Sequence, residues 1–491
     1  MLLTAQLLLS YQRCHRQAYL DVYEDKTQKS APSDFLNKLR QDRLEHQQTF
    51  FARHSWVQPD YPRYDWKAGA QATLALMQAG TPYIRRGVLW IEQGNGVALQ
   101  SIPDLLTKIE GTSDFGDWRY VPTDIRLSKR PKLEYQILAT FHAHLLANIQ
   151  GVWPEESYLY LRERGLYSVN LTINQPKLDQ LLLELIETIQ TQQEPEVFIV
   201  SNRCSLCGWL SHCYQIAQQE QHLSLLPGVT PSRYPILQAH NLASVKDLAF
   251  ANPIQLAEVT GFGREVANKL ICQAQAFANQ APVVFAASEV SAIAAQISPA
   301  PIELYFDIEA EPSLNLAYLH GVLVVDRENQ TETFYPLLAD QPHQEEQAWQ
   351  QFLDLVLAYP QAPIYHFCAY EVQTVERLAA LYGSPDTIIQ PLLERFIDLH
   401  AHVTHTVVLP VESYTLKLIA RWLGFQWRNS EANGAQSIYW YSEWLSTGDR
   451  DFLDTIVEYN EDDCQATYQI KNWLADFLAF ELTTPALQSP W

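Results

Sequence analysis

The chain has 491 residues, 47% hydrophobic and 12% aromatic, enough for a folded core, which excludes overall disorder and suggests about three domains. A formal net charge of −22 counts against long-range steering toward a polyanion, though a local basic groove remains compatible with it. No apolar run of about 20 residues indicates a membrane-spanning helix, and seven cysteines in so long a chain predict a reducing cytoplasm rather than a disulfide scaffold.

The opening MLLTAQLLLSYQRCHRQAYL lacks a basic leader and soon turns polar, so it reads as a mature N-terminus. Further on, DFLNKLRQDRLEHQQTFFARH has helical spacing, GVALQSIPDLLTKIE and DWRYVPTDIRLS alternate as strands, and LEYQILATFHAHLLANIQG predicts a long amphipathic helix stopped by Gly151. A cysteine cluster closes a first domain, 1–216. Residues 217–282 predict a helical connector with glycine turns, and 283–301, rich in Ala, Ser and Pro, a linker. From 302 to 485 the strands IELYFDIEAE, HGVLVVDRE, TETFYPLL and APIYHF alternate with helices. The fold class is therefore α/β multidomain, with a mixed-sheet C-terminal domain.

In IELYFDIEAEP, Asp307 and Glu309 sit two apart, hence on one face of a strand. Two such carboxylates repel unless a cation holds them or one keeps its proton. Glu371 falls at a strand-to-helix junction in YHFCAYEVQTVERL. In VEYNEDDCQAT, Tyr459 and Asp463 are four apart and share a helix face. Glu458, Glu461 and Asp462 read as solvated neighbours or outer supports. Four carboxylates from three elements would hold two divalent cations, Mg²⁺ or Mn²⁺, about 3.5–4 Å apart, and cleave a phosphodiester with water oriented by Tyr459. Taken singly, each piece also reads as an ordinary solvated strand end or helix face.

SNRCSLCGWLSHCYQ carries Cys204, Cys207 and Cys213, and Cys14 is the best fourth thiolate. Four thiolates fit a tetrahedral zinc, to which His212 would be an alternative ligand, or a 4Fe–4S cluster. Cys272, Cys368 and Cys464 read as small core residues. In the middle segment, PGVTP and TGFGRE mark two tight turns. Gly261 and Gly263 would let the backbone approach a phosphate, with Arg264 and Lys269 close by.

These motifs carry three resemblances. YFDIEAEP, IYHFCAYEVQTVERL, FIDLHAHV, ESYTLKLIARWLGF and YNEDDCQAT resemble the ribonuclease H-like 3′–5′ exonucleases of the DEDD group, closest to the YprB-like branch, over about residues 302–480. That implies metal ligands at Asp307, Glu309, Glu371 and Asp463 with Tyr459 beside them. Glu371 stands where the group usually has Asp, and Asp398 matches a recurrent position of the fold. The early Cys and late C-x2-C-x5-C resemble RecB-like nucleases with an iron–sulfur staple, including CRISPR-associated exonucleases. There Asp104 matches the metal-binding Asp of the PD-(D/E)xK pattern, Asp124 and Arg126 its D/E-x-K, and Gln136 the glutamine of the next helix. Glu45 or His46 would be the upstream ligand. Arg126 departs from the family lysine, since arginine is bulkier and keeps its proton. The middle segment resembles a pair of helix-hairpin-helix units.

Together the resemblances imply a cytoplasmic, metal-dependent nuclease acting 3′–5′ on DNA rather than RNA, in repair- or recombination-type processing. An RNA exonuclease and a catalytically eroded nucleic-acid-binding scaffold are the alternatives.

Overall fold

The computed structural model describes residues 1–52, 55–94 and 96–483, which divide into two compact units that part between Ile216 and Ala217. Among the described residues no helix is long and apolar enough to cross a membrane, and the seven cysteines are free thiols.

In the first unit, β1 (Leu2–Thr4) joins β3 (Leu89–Gln93) and β4 (Val97–Ser101) in a small sheet of order β1-β4-β3. The larger sheet has the order β2-β5-β6-β7-β8, from β2 (Tyr83–Arg85), β5 (Leu105–Ser113), β6 (Gly116–Arg126), β7 (Tyr158–Leu161) and β8 (Gly165–Ser168). β5 and β6 are antiparallel and β7 runs parallel to β6. The parallel return requires a crossover, and the helix Leu133–Gln150 provides it. Gly151 ends that helix at φ 71°, in the left-handed region. The helix was expected to be amphipathic, yet ten of its residues are buried, Ile137 to Leu146 almost without a break. It contacts β3, β4, β6 and β7 as well as the helices Ala5–Arg13 and Leu171–Thr191, so little of its surface is left for water.

In the second unit the main sheet has the order β12-β11-β10-β13-β14. β10 (Ile302–Glu311), β11 (Leu316–Asp326) and β12 (Thr331–Leu338) form an antiparallel meander, and β13 (Ile364–His366) and β14 (Phe396–Asp398) run parallel to β10. The alternation of β10 divides its side chains between two cores. Leu304, Phe306 and Ile308 pack with Trp349, Phe352 and Val375 of the helices Glu345–Ala358 and Tyr370–Leu381. Tyr305 on the opposite face belongs to a core with Tyr459, Cys464, Ala466 and Ile470 of the long helix Arg450–Thr483.

The expected linker at 283–301 is instead built into this unit. β9 (Val283–Val284) pairs with β15 (Val407–Val408), and the helix Val290–Gln296 buries Val290 and Ile293 in the core, as does Ile297 just beyond it. Their i, i+3, i+7 spacing supplies one apolar face despite the Ala- and Ser-rich composition. The segment expected as a connector is a run of short helices, Tyr234–Ala239, Val245–Ala249 and Pro253–Glu258, before a longer one. Gly261 and Gly263 adopt φ 94° and 78°, and Gly263 starts the helix Arg264–Asn279.

Candidate metal centre

Asp307, Glu309 and Asp463 each place a carboxylate oxygen within 4.8 Å of the others. Two come from adjacent same-face positions of β10, just before a register shift between Glu309 and Ala310, and the third from the helix crossing that face. The crossing is fixed lower down, where fully buried Lys471 Nζ meets Glu303 Oε1 at 2.5 Å and Arg327 Nη2 meets Glu303 Oε2 at 2.6 Å. Asn460 donates to Asp307 Oδ2 at 2.6 Å, and Trp427 Nε1 donates to Asp463 Oδ1 at 2.7 Å. Ser437 donates to Glu309.

These supports leave the acids crowded. Burial, then repulsion by Asp463, Glu309 and Glu371, pushes Asp307 well above the carboxylate range. Burial pushes Glu309 up to about 8, with Asp463 and Glu371 adding to it against Ser437. Burial brings Asp463 to about 6, against hydrogen bonds from Trp427 and Tyr459 that hold it down. Crowded buried carboxylates of this kind are relieved when a cation takes the place of their protons. Glu371, 4% exposed, stands beside the triad and outside it, its Oε2 3.5 Å from His366 Nδ1. The donor set therefore fits a divalent cation bound by Asp307, Glu309 and Asp463, with Glu371 in reserve.

The turn carrying Glu371 is held from both sides. Asp398 Oδ1 accepts from the Cys368 N–H at 3.1 Å and caps the helix Leu399–Thr406, and His366 Nδ1 donates to the Cys368 carbonyl at 2.6 Å. Cys368 itself sits at φ 82°, unusual for a residue with a Cβ. Asp398 thus serves the loop rather than the triad. Tyr459, 7% exposed, hydrogen-bonds Asp463, and burial raises its phenol well above its ordinary value, so it stays a neutral donor and acceptor. Lys417 Nζ lies 5.0 Å from the Tyr459 ring and 5.2 Å from Trp427.

Of the two readings of Asp462, solvated neighbour or outer support, its burial favours the second. Asp462 is 6% exposed and receives Arg428 through its backbone N–H, 2.8 Å, and its Nε, 2.7 Å. The same guanidinium takes Glu461 at 2.8 Å, so one arginine discharges much of the acidic run. Sequence reasoning missed Asn460, Trp427, Ser437 and Lys417. Asn460 had a signal, lying three residues before Asp463 on the same helix face.

In the first unit Asp104 and Asp124 flank the paired ends of β5 and β6, and both are buried. Their oxygens are already used. Asp104 accepts from Gln47 and from the Ile125 N–H, each at 2.8 Å. Asp124 Oδ2 accepts from Arg126 Nη2 at 2.7 Å and lies 3.2 Å from His142 Nε2. Burial would raise the Asp124 pKa, yet Arg126 and His142 hold it well below the carboxylate range. The guanidinium stands where a divalent cation would draw its charge, so the metal expected at this pair does not fit. Glu45 and His46 are not ligands either. Glu45 accepts from Gln41 and His46 stacks on Tyr160, while Gln47 of the same helix reaches Asp104. Gln136 donates to the Pro131 carbonyl at 2.8 Å rather than to either aspartate.

Cys14, Cys204, Cys207 and Cys213 line one cavity of about 530 Å³. Backbone N–H groups of Gln17 and Val200 point at the Cys14 and Cys204 sulfurs at 3.4 and 3.3 Å. Burial raises Cys204 and Cys207, and Cys213 to about 11, and neighbouring thiols add to it, so these groups ionise readily only beside a cation. Among the described residues no three of the sulfurs lie within 4.8 Å of one another. Tetrahedral zinc would bring them to about 3.8 Å. His212 packs edge-on against Trp209. In the connector, Arg264 is exposed, whereas Lys269 Nζ donates to the Thr404 carbonyl at 2.8 Å, which ties one of its three donors to the fold.

Comparison with known families places the C-terminal segment. Residues 304–475 match the RNase_H_2 family model of the RNase H superfamily, so this segment is a ribonuclease H-like domain, a fold found generally in metal-dependent nucleases. No curated protein matches the chain.

Proposed function

We propose that the chain is a 3′–5′ exonuclease that hydrolyses DNA phosphodiesters at Asp307, Glu309, Glu371 and Asp463 with Mg²⁺ or Mn²⁺. The convergence of Asp307, Glu309 and Asp463 within 4.8 Å carries the reading. Bound divalent cations would supply an activated water and offset charge on the leaving oxygen. The chain's own part is positional. Asn460 and Trp427 aim Asp307 and Asp463. The phenol of Tyr459, held to Asp463, orients water. The Lys417 ammonium, held against two rings rather than in an ion pair at the triad, meets the phosphate. The YprB-like resemblance supports the direction and the preference for DNA.

The test uses full-length protein with end-labelled single-stranded DNA and RNA and either cation. Single-nucleotide release from 3′ ends, lost in Asp307→Ala and kept in Asp104→Ala, supports the reading. No cation-dependent cleavage of either polymer would leave a non-catalytic binding scaffold, and cleavage of RNA alone would reassign the substrate.

Three further assignments complete the proposal. The first unit is RecB-like, supported by its antiparallel β5–β6, crossover helix and parallel β7 around Asp104 and Asp124. The four cysteines ligate a 4Fe–4S cluster, supported by the one cavity they line together. A brown protein with broad visible absorption supports this, and stoichiometric zinc in a colourless one refutes it. The glycine hairpin at Gly261 and Gly263, with Arg264, contacts a nucleic-acid backbone in a cytoplasmic repair setting.

A further inference from the structure

A cavity of about 270 Å³ opens beside Asp104 and Asp124. Its wall sets three guanidinium groups, Arg43, Arg86 and Arg126, against those two carboxylates. The carboxylates are satisfied by Gln47, the Ile125 N–H, Arg126 and His142, and Arg43 Nη2 stands 3.6 Å from Asp104 Oδ2. What remains over is donor capacity. Arg43 Nε, Arg126 Nε and Ser101 Oγ are buried without a hydrogen-bond partner, as is His142 Nδ1, and all four residues line the cavity. Ser101 is 1% exposed and Arg126 8%. Guanidinium nitrogens can only donate, so a second protein cation or a metal would leave them unserved. Arg86 stands exposed on the rim, its backbone pinned at φ 52° by an N–H donated to the Asp104 carbonyl.

The complement of such a wall is a small, multiply charged group made only of acceptors. We propose that this cavity binds a phosphate group without a metal, through Arg43, Arg86, Arg126 and Ser101. Arginine forks match phosphate oxygens two at a time, and partial burial strengthens each contact. Asp124 holds Arg126 in place for this task, and Asp104 is held by Gln47 on the helix that also carries Arg43. Both a free phosphate ion and the terminal phosphate of a nucleic acid carry this chemistry. The inference is independent of the C-terminal centre.

The experiment is calorimetric titration of the full-length protein, in buffer free of divalent cations, with inorganic phosphate and with an oligonucleotide bearing or lacking a terminal phosphate. We expect saturable binding of phosphate, of the phosphorylated oligonucleotide in preference to its hydroxyl form, or of both. The first alone marks the free ion as the ligand and the second alone a strand end. Arg86→Gln, on the exposed rim, is expected to weaken binding about tenfold without altering the circular dichroism spectrum, the loss of one charge-assisted contact. Arg126→Met is expected to abolish it, and Asp104→Asn to leave it intact. Absence of both phosphate binding and a preference for the phosphorylated oligonucleotide, or binding unchanged in Arg86→Gln, overturns the proposal. So does Mn²⁺ binding that Asp104→Asn removes.

Discussion

Asn460 reaches Asp307 over the Cα of Gly321, the residue paired with Asp307 on β11. A Cβ at 321 would lie 1.6 Å from Asn460 Oδ1. Gly321→Ala is therefore expected to push the long helix off the strand. It should cost about 1–3 kcal/mol by overpacking and weaken Mn²⁺ binding about tenfold or more. Thermal denaturation and metal titration check both. Unchanged metal affinity would show that Asn460 does not set the triad.

Removing a ligand has opposite effects on activity and stability. Asp307→Asn should abolish hydrolysis. In chelator it should stabilise the fold by roughly 1 kcal/mol, because it removes a buried acid that Asp463, Glu309 and Glu371 repel. Melting with and without EDTA reads this. Destabilisation of the metal-free variant would count against a pre-strained site.

The pH dependence follows from the direction of those shifts. The Glu309 pKa is raised from 4.5 to about 8, so the folded protein keeps a proton that the unfolded chain releases. Metal-free stability is then full below the unfolded value and falls as pH rises toward about 8. Mn²⁺ affinity should climb over the same interval with release of protons, and level off above it. Titrations between about pH 6 and 9 in buffers of different ionisation enthalpy test this, and an affinity flat across that range would refute it.

At the other end of the strand, Glu303→Gln leaves Lys471 buried without its counter-charge and should cost about 3–5 kcal/mol. The double variant Glu303→Leu with Lys471→Met should recover most of this. Denaturant unfolding of the three proteins separates the pair from its burial.

Two cations on one helix should behave differently. Arg264→Gln should lower the salt dependence of DNA binding by about one counterion. Lys269→Gln should leave it unchanged and cost about 0.5–1.5 kcal/mol for the lost bond to Thr404. Equal salt slopes would return Lys269 to the interface.

The strand IELYFDIEAEP and the helix around Tyr459 and Asp463 were legible, because period and charge there answer to purely local geometry. The role of Asp462 was not, since Arg428 lies 34 residues away along the chain. Composition hid the helix Val290–Gln296, whose apolar spacing was present in plain letters. Arg126 was legible as a departure, but the donors it leaves over arise from Arg43 and Ser101, on other elements. Residues 484 and 485, assigned from sequence to the last domain, lie outside the described residues.

The Glu303–Lys471 contact has a bearing on kinship. It sits away from the chemistry and is needed whether or not a strand is ever cut. A descendant that abandoned hydrolysis would shed Asp307 and Asp463 freely while keeping this pair to hold its architecture. Sequences with the pair but without the acids would thus keep strand and helix joined with no means of holding a cation.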